Sequence, residues 1–380
     1  MQYVKFPTLG IEASRFGMGC MRLPKITDSK GGSVIDGQEA IRMIRHAVEN
    51  GVNYFDTAHA YTSSEEVLGK ALSGGLRGKV IIATKSPIWN IKETKDFDRL
   101  LAEELKRLQT DHIDFYLLHG LGKKSWEKVK ELGLLEKLDE TKKKGITKYA
   151  AFSFHDDFKL FKEIIDSYPW DMCQIQLNFL QEDYQAGVEG LKYAASKGIG
   201  VVIMEPLQGG LLGENVPQDI IDKWDSSGIK RSPAEWALRW VANFQEATVI
   251  LSGVSTMEQL KENIDIFEKA VPNSLTGKEL KAYDKIKDFY KEKLKVNCTG
   301  CGYCLPCPSD VNIPMVFRFY NNTYLGDDPD RWEKTYRSFL CDNEKDASQC
   351  AECGQCEEAC PQHIPIMDKL KEAHEHLMAD

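Results

Sequence analysis

A chain of 380 residues with 42% hydrophobic side chains has enough apolar material for one large core and a small second one. Lys and Arg number 49 against 58 Asp and Glu, a formal charge of −9, and no basic run could neutralise a nucleic-acid backbone, so nucleic acid is not an expected partner. No apolar run is long enough to span a bilayer, and Met1–Gly10 lacks the order of a signal peptide, so the expectation is a cytoplasmic protein with no membrane contact.

In chain order, Tyr3–Ser14 reads as a small hairpin punctuated by Pro7 and Gly10. Eight strand-like runs follow: Arg15–Gly19, Asn53–Asp56, Val80–Lys85, Ile113–His119, Lys148–Ser153, Met172–Leu177, Gly200–Met204 and Val249–Leu251. Apolar residues recur three and four apart in Gln38–Asn50, Asp98–Leu108, Leu132–Lys144, Tyr184–Lys197, Pro233–Phe244 and Met257–Ala270, which predicts helices there. Several of these stop at glycine, at Gly51, Gly145 and Gly198. Eight strands, each followed by a helix-length segment, predict a closed (β/α)8 TIM barrel over residues 1–276. A charged helical connector over 277–296 then leads to a cysteine-rich domain over 297–380.

Reacting side chains of such barrels sit at the C-terminal ends of strands. Asp56 ends the second strand, Tyr61 follows in its loop, Lys85 ends the third and His119 ends the fourth. Singly, each has a bland reading: a loop cap for Asp56, a solvated strand end for Lys85, a satisfied buried histidine for His119. Together they bring an acid, a cation, a carboxylate and a hydrogen-bonding ring to one mouth. No GxGxxG follows a strand, so the chain has no Rossmann fingerprint.

The runs Phe55-Asp56-Thr57-Ala58 with Tyr61, Glu65 and Gly69, then Ala83-Thr84-Lys85 and Leu117-Leu118-His119, resemble the aldo-keto reductase family over residues 3–270. The resemblance implies that Tyr61 gives a proton to a substrate carbonyl oxygen while a nicotinamide delivers hydride to its carbon. A free tyrosine, with a pKa of about 10, is a poor acid. Lys85 would favour the phenolate, Asp56 would hold Lys85, and His119 would orient the carbonyl. The resemblance also implies a dinucleotide, NADPH or NADH, held by Ser153, Gln174, Met204, Pro206, Leu207, Ser255, Gln259, Glu262 and Asn263. Four positions depart from the family's pattern: Phe154 stands in the usual place of an Asn, Met204 in that of a stacking aromatic, and Gly253 and Gln259 in those of a Lys and an Arg. For Ser255 and Gln259, helix capping and a solvated face are equally good readings.

Of 11 cysteines, eight form two groups. The first is Cys298-x2-Cys301-x2-Cys304-x2-Cys307-Pro308 and the second Cys350-x2-Cys353-x2-Cys356-x3-Cys360-Pro361. In two-cluster ferredoxins three thiolates serve one cubane, and the cysteine before proline reaches the other. That pattern predicts two 4Fe–4S clusters, one on Cys298, Cys301, Cys304 and Cys360, the other on Cys350, Cys353, Cys356 and Cys307. Cys307 departs by one residue in its spacing. Zinc ribbons need paired CxxC units and fit this spacing less well. The long spacer 309–349, helical at Pro329–Leu340, resembles a helical ferredoxin arrangement. Cys20 and Cys173 read as small core residues and Cys341 as an idle thiol.

With Met204-Glu205-Pro206-Leu207 in the barrel and both cysteine groups in the tail, the whole chain resembles the iron–sulfur branch of the aldo-keto reductases. The expectation is an NAD(P)(H)-dependent oxidoreductase that reduces a small aldehyde or ketone, with clusters available for electron transfer. From Lys291 onward 16 acidic residues face 10 basic ones, so an electron-transfer partner steered by charge would be basic. Two other readings stay open: a nucleotide-binding redox sensor, and a flavin-assisted electron-transfer protein, although no flavin motif is present.

Overall fold

The computed structural model describes residues 1–28, 32–214, 216–325 and 328–379. Eight parallel strands close into a barrel: β1 (Phe16–Gly19), β2 (Tyr54–Asp56), β3 (Ile81–Pro87), β4 (Ile113–Leu121), β5 (Thr147–Phe154), β6 (Met172–Gln176), β7 (Gly200–Met204) and β8 (Ala247–Gly253). The expected TIM barrel is therefore present. Its register sets strand ends side by side: Gly19 opposite Asp56, Asp56 opposite Ala83, Lys85 opposite Leu117, and Ser153 opposite Gln174.

The hairpin Tyr3–Lys5 with Glu12–Ser14 is antiparallel. Its Phe6 and Ala13 pack with Tyr54, Phe115, Met172 and Val249 in the barrel's inner core. Gly200 opens β7 where a Cβ would lie 2.3 Å from the Phe6 ring, so glycine lets this plug seat. Outer helices form for the reasons the sequence suggests. In Gly37–Glu49 the Asp36 side chain caps the Glu39 amide, and Ala40, Met43, Ile44 and Ala47 line the buried face.

Two departures are local. The run expected as one helix over Leu132–Lys144 is preceded by a further helix, Lys123–Glu131, and the two are separated by Gly133, whose φ of 62° ends the first and turns the chain into Leu134–Lys143. A second hairpin, Lys25–Thr27 with Ser33–Ile35, follows β1. Its short polar strands carry no hydrophobic alternation that could have announced it.

The chain divides into two compact units, one of Met1–Pro206 with Leu238–Ser274, the other of Leu207–Ala237 with Leu275–Asp380. In the second unit Trp224 stacks on Trp236 at 4.5 Å between ring centres, and Tyr283 meets both edge-on while donating to the Trp236 carbonyl at 2.7 Å. The helix Gly277–Lys293 that carries Tyr283 starts in a capping box formed by Thr276 and Glu279. A separate core gathers Val311, Ile313, Phe317, Tyr320, Tyr336 and Leu370, with Cys298, Cys304, Cys307, Cys350, Cys356 and Cys360 packed along its edge. Its helices are Ile313–Leu325, Pro329–Phe339 and Ile366–Leu377.

Candidate functional sites

At the barrel mouth, β3 presents Lys85 inward with almost no exposure. Its ammonium donates to Asp56 Oδ1 at 2.5 Å, to the Thr57 carbonyl at 2.7 Å and to the Tyr61 hydroxyl at 3.4 Å. A lysine buried this deeply needs such partners, because charge in a low-dielectric interior is costly unless paired. Burial raises the Asp56 carboxyl above its ordinary value, and the adjacent Lys85 charge opposes that rise. The Tyr61 ring lies beneath the same ammonium at 4.8 Å.

His119 closes the group from β4, its ring edge-on to Tyr61 with 6.1 Å between centres. Burial, followed by the Lys85 charge, holds its imidazole well below the usual histidine value, so the ring is neutral near pH 7. The structure thus brings together Asp56, Tyr61, Lys85 and His119.

The residues expected around a dinucleotide fall in three places. Ser153 on β5 accepts from the Gly120 amide at 2.8 Å, just past His119. Gln174 on β6 directs its amide at the Met204 sulfur, 3.6 Å away. After β8, the Ser255 amide donates to the Gln259 side chain at 2.8 Å, and Asn263 donates to the Ser252 hydroxyl at 2.9 Å. Gln259, Glu262 and Asn263 ride on the helix Met257–Lys269, with Asn263 buried and Glu262 half-buried. Pro206 is buried just past β7, and Leu207 begins the second unit.

Two residues escaped the sequence reading. Trp89, half exposed, lies against the His119 ring at 4.9 Å between centres and offers an apolar face at the mouth. The signal was an aromatic four residues past Lys85. Arg22 follows β1, and its carbonyl accepts from the Ser255 hydroxyl at 2.9 Å. Its side-chain stem packs where a Gly253 Cβ would lie, 3.3–3.5 Å away. Arg22 thus lies beside Gly253 and Ser255, and only the closed barrel reveals that proximity.

In the second unit, two hollows are lined by cysteines. One is bounded by Cys298, Cys301, Cys304 and Cys360 with Pro361, Ile364 and Ile366. The other is bounded by Cys304, Cys307, Cys350, Cys353 and Cys356. Burial, then the neighbouring Cys301 and Cys298 and lastly Cys360, push the Cys304 thiol up to about 12. Clustered thiols of this kind suit an iron–sulfur cubane, and each hollow is reached by at least one cysteine of the opposite group. Outside these hollows, Cys20 and Cys173 are buried, while Cys341 is half-buried with its sulfur 3.9 Å from that of Met378.

A barrel with a buried Lys–Asp–Tyr–His mouth, in one chain with eight clustered thiols, defines a class: a barrel oxidoreductase with an iron–sulfur domain. Comparison with known proteins makes the class specific. Residues 15–288 match the aldo/keto reductase family and residues 297–364 match a 4Fe-4S dicluster domain. The chain belongs to the aldo/keto reductase family.

It is 28% identical over 329 residues to YrpG, an uncharacterized oxidoreductase of Bacillus subtilis, covering 75% of this chain and 96% of the relative. It is 28% identical over 264 residues to the glyoxal reductase of Bacillus subtilis, covering 68% and 85%. Among solved structures, the holo form of the aldo-keto reductase AKR11C1 from Bacillus halodurans superposes with a TM-score of 0.62 at 25% identity, covering 75% of this chain and 96% of that one.

Proposed function

We propose that this protein reduces a small aldehyde or ketone with NADPH or NADH, using Tyr61 as general acid. The observation that carries the reading is the buried Lys85 ammonium hydrogen-bonded at once to Asp56 and to the Tyr61 hydroxyl. The nicotinamide, when bound, supplies the hydride. Tyr61 delivers its proton to the carbonyl oxygen, and the Lys85 charge stabilises the phenolate that remains. Asp56 and the Thr57 carbonyl keep Lys85 from turning away. His119, neutral, hydrogen-bonds the substrate oxygen and fixes its approach without adding a second positive charge to the mouth. Trp89 covers the substrate's apolar part.

Ser153 and Gln174 would hold the carboxamide end of the dinucleotide, with Met204, Pro206 and Leu207 along it and Ser255, Gln259, Glu262, Asn263 and Arg22 at the far end. Each cysteine quartet would hold one 4Fe–4S cluster, a one-electron carrier. Cys353 is exposed, which sets that quartet within reach of a basic electron-transfer partner. The test is Tyr61→Phe: carbonyl reduction should fall about 10²–10⁴-fold with dinucleotide affinity unchanged. Undiminished turnover would refute the assignment.

A further inference from the structure

The chain that leaves β7 enters a stretch rich in left-handed backbone, with Glu205 at φ 56°, Gln208 at 46°, Gly209 at 69° and Gly210 at 105°. Side-chain-bearing residues rarely adopt this region, so the surroundings of Glu205 and Gln208 must hold them there. On one side of the Pro206–Leu207 link, the Leu177 amide donates to the Met204 carbonyl at 3.2 Å and Asn178 donates to the Glu205 carbonyl at 3.4 Å. On the other side, the amides of Gly210 and Leu212 both donate to the Leu207 carbonyl, and the Tyr290 hydroxyl donates to that of Leu211.

One close approach ties this stretch to the first cysteine group. A Cβ on Gly209 would fall 1.9 Å from the Thr299 carbonyl oxygen and 2.6 Å from its carbon, so glycine alone permits this approach of backbone to backbone. Thr299 sits between Cys298 and Cys301, and the Gly300 amide beside it donates to the Cys298 sulfur at 3.4 Å. Independently, Gln208 is 1% exposed, and neither its amide nitrogen nor its oxygen has a hydrogen-bond partner among the described residues. A buried primary amide left unpaired is unfavourable, so Gln208 is a cost that the surroundings of this stretch carry.

We propose that residues 205–213 couple cluster loading to dinucleotide binding. Iron on Cys298, Cys301 and Cys304 fixes the Thr299 backbone, Thr299 seats Gly209, and Gly209 shapes the covalently continuous segment that carries Pro206 and Leu207. The cluster-loaded protein therefore binds dinucleotide more tightly than the cluster-free protein. This rests on the reading of Pro206 and Leu207 as dinucleotide contacts. Gly209 and Gln208 are positioning residues in this scheme and touch no reacting atom. Because coupling between two binding events is reciprocal, dinucleotide must strengthen cluster retention by the same factor.

The test uses the full chain, prepared anaerobically in cluster-loaded and chelator-stripped forms and titrated with NADPH and with NADH. Loaded protein should bind at least about 5-fold more tightly, and bound NADPH should slow cluster bleaching by a chelator. Gly209→Ala should keep its iron yet bind dinucleotide with the affinity of stripped wild type, and Gln208→Met should fall between. Should Gly209→Ala fail to fold, hydrogen exchange in wild type decides: the amides of 207–213 should exchange more slowly after loading. Equal affinity of loaded and stripped protein, or exchange indifferent to loading, overturns the coupling alone. Absence of binding to both forms overturns the dinucleotide reading and the coupling with it.

Discussion

The barrel mouth and the cysteine hollows are both built for redox chemistry, yet they come from opposite kinds of sequence information. The mouth gathers Asp56, Tyr61, Lys85 and His119 from three strands and a loop; Lys85 hydrogen-bonds Asp56 and Tyr61, and the His119 ring stands edge-on to that of Tyr61. Each hollow draws three of its thiols from one short loop, with Cys360 crossing into the first and Cys307 and Cys304 into the second. The mouth's charges already satisfy one another within the protein. The thiols would gain their partners from iron, whose binding free energy would become folding free energy for the domain that holds it. A pre-paired polar site should resist loss of cofactor, whereas a thiol site should depend on it.

The largest effect separates chemistry from binding. Tyr61→Phe is expected to lower carbonyl turnover about 10²–10⁴-fold in steady-state assays, with iron content unchanged. Next, Lys85→Met should strand Asp56 as a buried charge without its ion-pair partner, costing about 3–5 kcal/mol in denaturant unfolding of the barrel. The cysteine hollows should show no such response.

Removal of iron should do the reverse. Limited proteolysis of stripped protein should cut first within 298–364, while the barrel stays resistant. Early cuts in the barrel strands would break the contrast between the two regions.

Smaller effects sharpen it. Arg22→Met should weaken NADPH binding by roughly 5-fold, about 1 kcal/mol for a surface charge, and NADH binding less. Equal loss for both would mean that Arg22 does not read the extra phosphate.

The last prediction concerns Glu104, buried on the outer face of the barrel beside Tyr116 and Glu65. Burial, then the Glu65 charge, raises its carboxyl well above the ordinary value. Folded protein therefore keeps a proton that unfolded chain releases, and this group's contribution to stability declines as pH rises above the ordinary glutamate range toward the raised value. Glu104→Gln, which cannot ionise, should melt at the wild-type temperature near pH 4 and above it near pH 8, by roughly 2–4 °C per kcal/mol. A gain independent of pH would show that the carboxyl does not titrate on unfolding.

The two regions also differ in how far the sequence discloses them. Strand-and-helix alternation suffices for the barrel because each β-branched run is buried on both faces, and the tetrad follows from strand ends. Cysteine spacing is local, so the quartets are readable with the chain unfolded. Other features need the closed structure. Arg22 and Ser255 lie far apart in sequence and meet only because β8 pairs with β1. Trp89 gains its role from the His119 ring beneath it. The hairpin at Lys25–Ile35 is too short and polar to show alternation. That Leu207–Ala237 packs with the C-terminal residues is equally invisible to periodicity, since Trp224, Trp236 and Tyr283 read as ordinary helical apolar positions.

The most direct test of two redox centres in one chain is iron and sulfide analysis after anaerobic reconstitution, combined with electron paramagnetic resonance of the reduced protein. About eight iron and eight sulfide per chain, as two 4Fe–4S clusters require, with two interacting paramagnets on reduction, is the predicted result. About four iron per chain, or zinc in place of iron, would contradict it.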